Sequence, residues 1–142
     1  MALIDVMVTE KIIGGAYTVH NILGAGFLEK VYGNALAIEL KELALNCQQQ
    51  AKLNVCYREC VVGEYYADLL VENRIICELK AVEHITRQHE VQLVNYLAAT
   101  GMDTGLLINF GKSVTVKRKF RKYKLPDDSA PSCESCPEKK TG

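Results

Sequence analysis

Two acids and a lysine in the middle of the chain stand at spacings that suit metal-assisted chemistry on phosphates. Asp68 precedes Glu78 by ten residues, and Lys80 follows Glu78 by two, so a strand would present Glu78 and Lys80 on one face. Mg²⁺ takes hard oxygen ligands and is commonly held by one or two carboxylates together with substrate phosphates. The alternative is a solvated strand face that carries a local Glu–Lys pair, because such pairs are common on ordinary sheets.

A β-hairpin is predicted to position these three residues. Branched apolar residues fill 67–71 and 75–79, and the intervening residues 72–74 suit a three-residue turn. If Val71 pairs with Ile75, then Asp68 faces Glu78 and the other face is wholly apolar. That apolar face comprises Ala67, Leu69, Val71, Ile75, Cys77 and Leu79. A buried face specifies register strongly. Two carboxylates placed opposite each other are destabilising, so a cation is expected between them.

Further motifs surround the hairpin between about residues 8 and 120. They are Val19-His20, GFLEKVY at 26–32, GEYYAD at 63–68, QLVNYL at 92–97 and GLLINFG at 105–111. Together with the Asp68…Glu78-Leu79-Lys80 core, they resemble the GxxExxY proteins, a bacterial and archaeal branch of the PD-(D/E)XK nuclease superfamily. The resemblance implies an α/β fold with a restriction-endonuclease-like core. Its mixed sheet of four to five strands would be flanked by helices, with two N-terminal helices before the catalytic hairpin.

The resemblance also implies roles for individual residues. The implied catalytic set is Glu29, Asp68, Glu78, Lys80 and Gln92, in which Glu29, Asp68 and Glu78 bind Mg²⁺ or Mn²⁺. Lys80 would orient the attacking water or stabilise charge on the phosphate, while Gln92 positions the lysine or the substrate. Tyr32 and Tyr96 are implied as substrate contacts.

Apolar periodicity predicts the helices that carry some of these side chains. The first helix is expected over 8–23, the second from about Phe27 to Leu45 and the third over about Arg87 to Thr100. Glu29 falls in the first turn of the second helix, where a carboxylate also favours the helix dipole. On the third helix, Gln92 and Tyr96 lie on the arc opposite the apolar one, with His89 beside them.

The remaining strands are predicted from alternation and from one apolar run. Loose alternation predicts a first strand over Leu53 to Val62, preceded by a polar connection over 47–52. The continuous run Gly105 to Phe110 is typical of a strand buried on both faces. A last strand is expected over Val114 to Lys119.

Length and composition predict one nuclease-like domain over 1–124 and a tail over 125–142, which lacks core-forming residues and is expected to be disordered. No stretch reaches the apolar length needed to span a bilayer and no secretory signal is evident, so we expect a cytoplasmic protein without membrane contact. Four of the six cysteines are scattered among apparent core elements, which favours reduced thiols.

The net charge of zero conceals an uneven distribution. Residues 112–124 carry seven basic side chains and no acid, whereas 1–111 carry eight basic and thirteen acidic ones. This basic segment is the candidate contact with nucleic acid, through Lys117 and Arg118 in particular. The alternative is an edge strand kept soluble by its lysines.

The leading interpretation is therefore a metal-dependent nuclease or phosphodiesterase that acts on DNA or RNA through an Asp-Glu-x-Lys site. The alternative is a catalytically silent module that binds nucleic acid or protein and retains the nuclease fold. A protein partner or a homodimer is compatible with either interpretation.

Overall fold

A computed structural model describes residues 3–121. The elements are, in chain order, α1 (Leu3–Leu23), α2 (Glu29–Glu42), β1 (Cys47–Tyr57), β2 (Cys60–Val71), β3 (Ile75–Lys80), α3 (Arg87–Thr100), β4 (Thr104–Phe110) and β5 (Val114–Phe120). The five strands form one sheet in the order β1-β2-β3-β4-β5, in which only β3 and β4 are parallel. The predicted mixed sheet with two N-terminal helices is confirmed.

Helices cover both faces of the sheet. On the α1/α2 face, Ile12, Tyr32 and Leu36 pack against strand residues that include Ile108 and Phe110. On the α3 face, a second cluster forms around Leu93 and Leu97. Every residue of β4 is buried, as its continuous apolar run predicts, because β4 is covered on both faces.

The predicted first strand is wrong in its bounds. The segment Leu53–Val62 straddles a turn, and the polar residues 47–52 belong to β1. The turn is formed by Arg58 and Glu59, which both have positive φ, at 50° and 66°. Glycine, asparagine and aspartate usually mark such turns, so Arg-Glu gave no local signal for this one.

The cysteines fall into two groups. Cys47 and Cys77 are free, and burial raises the pKa of the Cys77 thiol well above its usual range, which keeps it unreactive. Cys56 and Cys60 are disulfide-bonded, so the prediction of reduced thiols is wrong for these two residues. A cytoplasmic location stays a prediction. The residues of the predicted tail, 125–142, lie outside the described part of the chain.

Candidate active site at the fork of the β2–β3 hairpin

The β2–β3 hairpin has the predicted register at its turn and a different arrangement at its open end. Val71 pairs with Ile75, and the ladder continues through two further pairs to Leu69 and Cys77. It ends there, so the predicted direct pairing of Asp68 with Glu78 is wrong. Ala67 also departs from the prediction, because it packs in the α3-face cluster rather than with Leu69.

The neighbouring strand β1 shows how this reversal of faces is accommodated. Gln49 pairs with Leu69 and Ala51 with Ala67, but Gln50, opposite Asp68, makes no ladder pair and has a φ of 51°. Alternation of side chains is broken at this row, so Ala51 and Ala67 move together to the α3 face. A non-glycine residue with positive φ inside a strand is strained by about 1 kcal/mol or more. Such strain concentrates at functional sites.

Asp68 and Glu78 are interlocked across the open end of the hairpin. The Leu79 N–H donates to Asp68 Oδ2 at 2.8 Å, and the Asp68 N–H donates in turn to the Glu78 carboxylate. Each acid therefore accepts from the backbone of the opposite strand, in place of a strand carbonyl. We call this pair of acids and their two backbone partners the fork.

The Glu78 carboxyl lies in an environment that disfavours its charge. Burial raises its pKa to about 7, while the positive charge of Lys80 and the Asp68 N–H act in the opposite direction. The negative charge of Glu29 adds a smaller upward contribution. Desolvation is thus the largest cause of the raised pKa, and the acid whose charge adds to it is Glu29 rather than Asp68, the predicted neighbour.

The two acids of the fork line different cavities. Asp68 borders a cavity of about 380 Å³ on the α1/α2 face, together with Glu29, Lys30 and Asn34. Gly33 allows α2 to pack closely against Leu79 of β3, since a Cβ at this position would lie 3.2 Å from Leu79 Cδ1. This cavity is polar and open to solvent at Glu29, which is the first residue of α2.

The second cavity lies on the α3 face and measures about 140 Å³. It brings four of the predicted site residues together, Glu78, Lys80, Gln92 and Tyr96, and also contains Tyr65 and His89. Among residues 3–121, no three acidic, histidine or cysteine side chains are placed to hold a metal ion. The predicted cluster of Glu29, Asp68 and Glu78 is therefore not assembled, because Glu78 turns to the α3 face.

The forked hairpin, with an acid on each arm and a lysine beyond the second acid, can be compared with known proteins. The family model of the PD-(D/E)XK nuclease superfamily matches residues 6–123. The chain belongs to this superfamily. No curated protein matches the chain. Two chains of known structure do, including the crystal structure of SSO0001, which aligns with a TM-score of 0.50 and 16% identity.

The SSO0001 alignment covers 66% of this chain and 50% of that chain, so the likeness spans half the length of that protein and concerns the fold alone. Together with the family match, it confirms the restriction-endonuclease-like fold. None of the helices within residues 3–121 combines the length and the apolar character that a bilayer crossing requires.

Nucleases of this superfamily generally use divalent metal ions, and the fork suits that use in its donor chemistry. Asp68 and Glu78 offer hard carboxylate oxygens, and Asp68 Oδ1 accepts only a long bond, 3.3 Å, from Gln50 Nε2. Two carboxylates can hold Mg²⁺ when water and substrate phosphate complete its shell. By the chemistry of their donor atoms, Asp68 and Glu78 therefore suit a divalent cation that is bound jointly with substrate.

Tyr32, which was predicted to contact substrate, is instead part of the hydrophobic core. Its side chain is fully buried and stacks on Phe110 at a centroid distance of 4.5 Å. Its hydroxyl donates to the Gly24 carbonyl at 2.5 Å and accepts from the Phe27 N–H at 3.3 Å. Direct contact with substrate does not fit this position. Tyr32 instead fixes the loop that leads into α2.

The two predicted basic contacts lie on opposite faces of β5. Lys117 is exposed and pairs in the ladder with Leu107, whose row continues to Glu78 on the α3 face. Arg118 lies 3.7 Å from Glu10 of α1, on the other face. Of these two residues, only Lys117 therefore shares a face with Lys80.

Two polar residues in the α3-face cavity received no role from the sequence. The Tyr65 hydroxyl donates to Glu78 Oε2, and the Tyr65 ring stacks on Tyr96 at 4.0 Å. His89 lies on the first turn of α3. The sequence held a partial signal for His89, which stands beside Gln92 and Tyr96 on the helical wheel. Tyr65 gave none, because its face depends on the reversal at Asp68.

Proposed function

We propose that this chain is a metal-dependent nuclease of the GxxExxY branch, which hydrolyses phosphodiester bonds in DNA or RNA at the fork. The observation that carries the proposal is the interlocked pair of acids beside a lysine. Asp68 accepts from Leu79 N–H, Asp68 N–H donates to Glu78, and Lys80 borders the same cavity as Glu78. A binding module has no chemical need for a desolvated acid, a second acid and a lysine at a broken ladder.

Asp68 and Glu78 are the proposed ligands of Mg²⁺ or Mn²⁺. A bound divalent cation supplies positive charge for the attacked phosphate and lowers the pKa of the attacking water. Glu78 is tuned for such a partner, because its buried carboxyl is held partly protonated near neutral pH and ionises when positive charge arrives. Glu29 adds negative charge at the entrance of the neighbouring cavity, which attracts cations to the fork.

Lys80 is the proposed electrostatic partner of the phosphate. It follows Glu78 on the same strand face and borders the α3-face cavity, where substrate phosphate would neutralise its charge. Gln92 and Tyr96 enter this cavity from α3 and are proposed to position the substrate. Tyr65 orients Glu78 through its hydroxyl and supports Tyr96 by stacking.

A cleavage assay tests the proposal. The wild-type protein is incubated with Mg²⁺ or Mn²⁺ on single- and double-stranded DNA and RNA, beside Lys80→Ala. The matched control is Lys52→Ala, which removes an exposed lysine that pairs with Glu64 at 3.0 Å and lines neither of the two cavities at the fork. We expect Lys80→Ala to reduce the cleavage rate by about 100-fold or more, because it removes charge stabilisation in the transition state. Lys52→Ala should cleave normally.

Two results would decide against this function. Equal cleavage by wild type and Lys80→Ala would place the activity outside the fork. Metal-independent binding of nucleic acid without cleavage by the wild type would instead favour the silent interaction module. The same set of substrates distinguishes DNA from RNA. The size of the protein–nucleic acid complex shows whether a homodimer or a protein partner is involved.

A further inference from the structure

His89 is the one polar side chain of the α3-face cavity to which neither the sequence nor the proposed mechanism gives a part. It lies at the third position of α3, and its backbone N–H donates to Thr86 Oγ1 at 3.2 Å. The Thr86 N–H donates back to His89 Nδ1 at 3.1 Å. This reciprocal pair is a capping box, in which histidine occupies the position usually held by glutamate or glutamine.

The capping box determines which ring nitrogen can donate. Because Nδ1 accepts a hydrogen bond from a backbone N–H, it carries no proton, and a neutral imidazole then carries its proton on Nε2. Within residues 3–121, Nε2 makes no hydrogen bond. A glutamate at the same position would cap the helix equally well but would present no donor. The cap alone thus does not account for a histidine here.

The position of the His89 ring indicates which groups the Nε2–H could contact. His89 is half-buried and shares a cavity of about 140 Å³ with Glu78, Lys80 and Gln92. Lys80 makes this cavity suitable for a phosphate, and Lys117 lies on the same face two strands away from Glu78. A second fixed N–H donor beside Lys80 would complement the diffuse charge of a phosphodiester.

We propose that His89 is a substrate-binding residue, whose Nε2–H donates a hydrogen bond to a non-bridging phosphate oxygen of the nucleic acid while the capping box holds the ring in that orientation. The proposal rests on the proposed function, because it names how the same cavity recognises its substrate. It predicts a contact with the phosphate backbone of the nucleic acid, which positions the nucleic acid strand without recognising its base sequence.

The test compares two variants that touch the same cap. His89→Gln keeps an acceptor for the Thr86 N–H, as in the usual capping box, but replaces the Nε2–H of the rigid ring with the amide of a flexible side chain. Thr86→Ala removes the hydroxyl that caps α3, yet leaves the backbone N–H that orients the imidazole. Both variants are examined by thermal melting. Affinity is measured with a fluorescent 20-nucleotide DNA and the matching RNA, in Ca²⁺ at pH 8.

We expect His89→Gln to weaken binding by roughly 10-fold, as is typical when one hydrogen bond to a charged group is lost. Its melting temperature should stay near that of the wild type. Thr86→Ala should show the opposite pattern, with a lower melting temperature and unchanged affinity. In cleavage assays, His89→Gln should raise KM more than it lowers kcat.

Two outcomes would overturn the proposal while leaving the proposed function intact. In the first, the wild type cleaves nucleic acid, and the His89→Gln variant binds and cleaves it equally well. The second is a loss of affinity of equal size in His89→Gln and Thr86→Ala, which would mean that His89 acts only as a helix cap. A wild type that neither binds nor cleaves any of the nucleic acids would instead overturn the proposed function, and this proposal with it.

Discussion

The two ends of the β2–β3 hairpin contrast sharply, although they belong to the same pair of strands. At the turn, the ladder is regular, its residues are almost all buried, and Arg74 Nε donates to the buried Asp5 of α1 at 2.6 Å. At the fork, the ladder is broken, Gln50 is strained, and two acids take hydrogen bonds from the backbone. The turn end anchors the hairpin to the helices. At the fork, the hydrogen bonds of the β2–β3 ladder are absent, and the two acids lie where the strands would otherwise pair.

This contrast suggests a division of labour that mutations can separate. Changes at the fork should alter chemistry and ion binding with little loss of stability, because neither acid is fully buried and the β2–β3 ladder has already ended there. Changes at the turn end should alter stability and leave the chemistry of each folded molecule unchanged.

The largest effect is expected from Asp68→Asn. We expect cleavage to fall by about 100-fold or more, because one of two carboxylates at the fork is lost. Millimolar Mg²⁺ should stabilise the wild type, since a ligand that binds only the folded state adds about 2.7 kcal/mol at one hundred times its Kd. Asp68→Asn should lose this gain and be slightly more stable without metal. An identical metal response in both proteins would remove Asp68 from the site, and Asp103→Asn is the control for loss of a carboxylate elsewhere.

The second effect concerns the pH dependence of stability without metal. Below pH about 4.5, Glu78 is protonated in both the folded and the unfolded chain; between about 4.5 and 7, only the folded chain keeps the proton. The folded state then binds more protons, so the free energy of unfolding should fall as pH rises through this range, by about 3 kcal/mol. Glu78→Gln does not titrate and should flatten this slope when melts are recorded with a chelator. A slope equal to that of the wild type would mean that burial does not perturb Glu78.

The third effect belongs to the turn end. Asp5→Asn removes the charge that Arg74 contacts, in a side chain that is 6% exposed, and should lower the free energy of unfolding by about 2 kcal/mol. The matched control is Glu10→Gln, because Glu10 is exposed and lies 3.7 Å from Arg118, where a surface pair contributes little. Chemical denaturation measures both. Cleavage per folded molecule should be unchanged, and a loss of activity in Asp5→Asn would contradict the separation of the two ends.

The fourth effect distinguishes the faces of β5 by their response to salt. Lys117 shares the α3 face with the cavity of Glu78, whereas Arg118 lies against α1. Plots of log affinity against log salt concentration have a negative slope. Lys117→Ala should reduce the magnitude of this slope by about one unit, as expected for one lost phosphate contact. Arg118→Ala should leave this slope unchanged. If neither variant changes the slope, the basic segment serves solubility.

The smallest effect concerns the strain at Gln50. Gln50→Gly should raise the free energy of unfolding by about 1 kcal/mol, because glycine adopts a φ of 51° without steric cost. Gln48→Gly, two residues earlier in β1 where φ is not positive, should lower it by a similar amount. Urea denaturation of both variants tests this pair. Destabilisation of equal size in both would mean that the reversal of faces stores no strain.

Much of the architecture follows from sequence pattern alone. Apolar alternation at 69–71 and 75–77 predicted the register of the turn end, and the run at 105–110 predicted a central strand covered on both faces. Alternation works here because a side chain on one pleat is either buried or solvated, and hydrophobicity reports which. Glu78, Lys80, Gln92 and Tyr96 were also predicted together, and the structure places them around one cavity.

The rest was decided only by tertiary structure. Alternation assumes a regular strand, so it does not reveal the change of face at Gln50 and Asp68, where glutamine does not favour the positive φ that Gln50 adopts. A tyrosine can pack in a core or line a site, and Tyr32 is buried because Phe110, from a strand distant in sequence, supplies its stacking partner. The residues of a motif thus follow from the sequence, whereas the direction in which an acid or an aromatic ring points depends on elements that meet only in the folded chain.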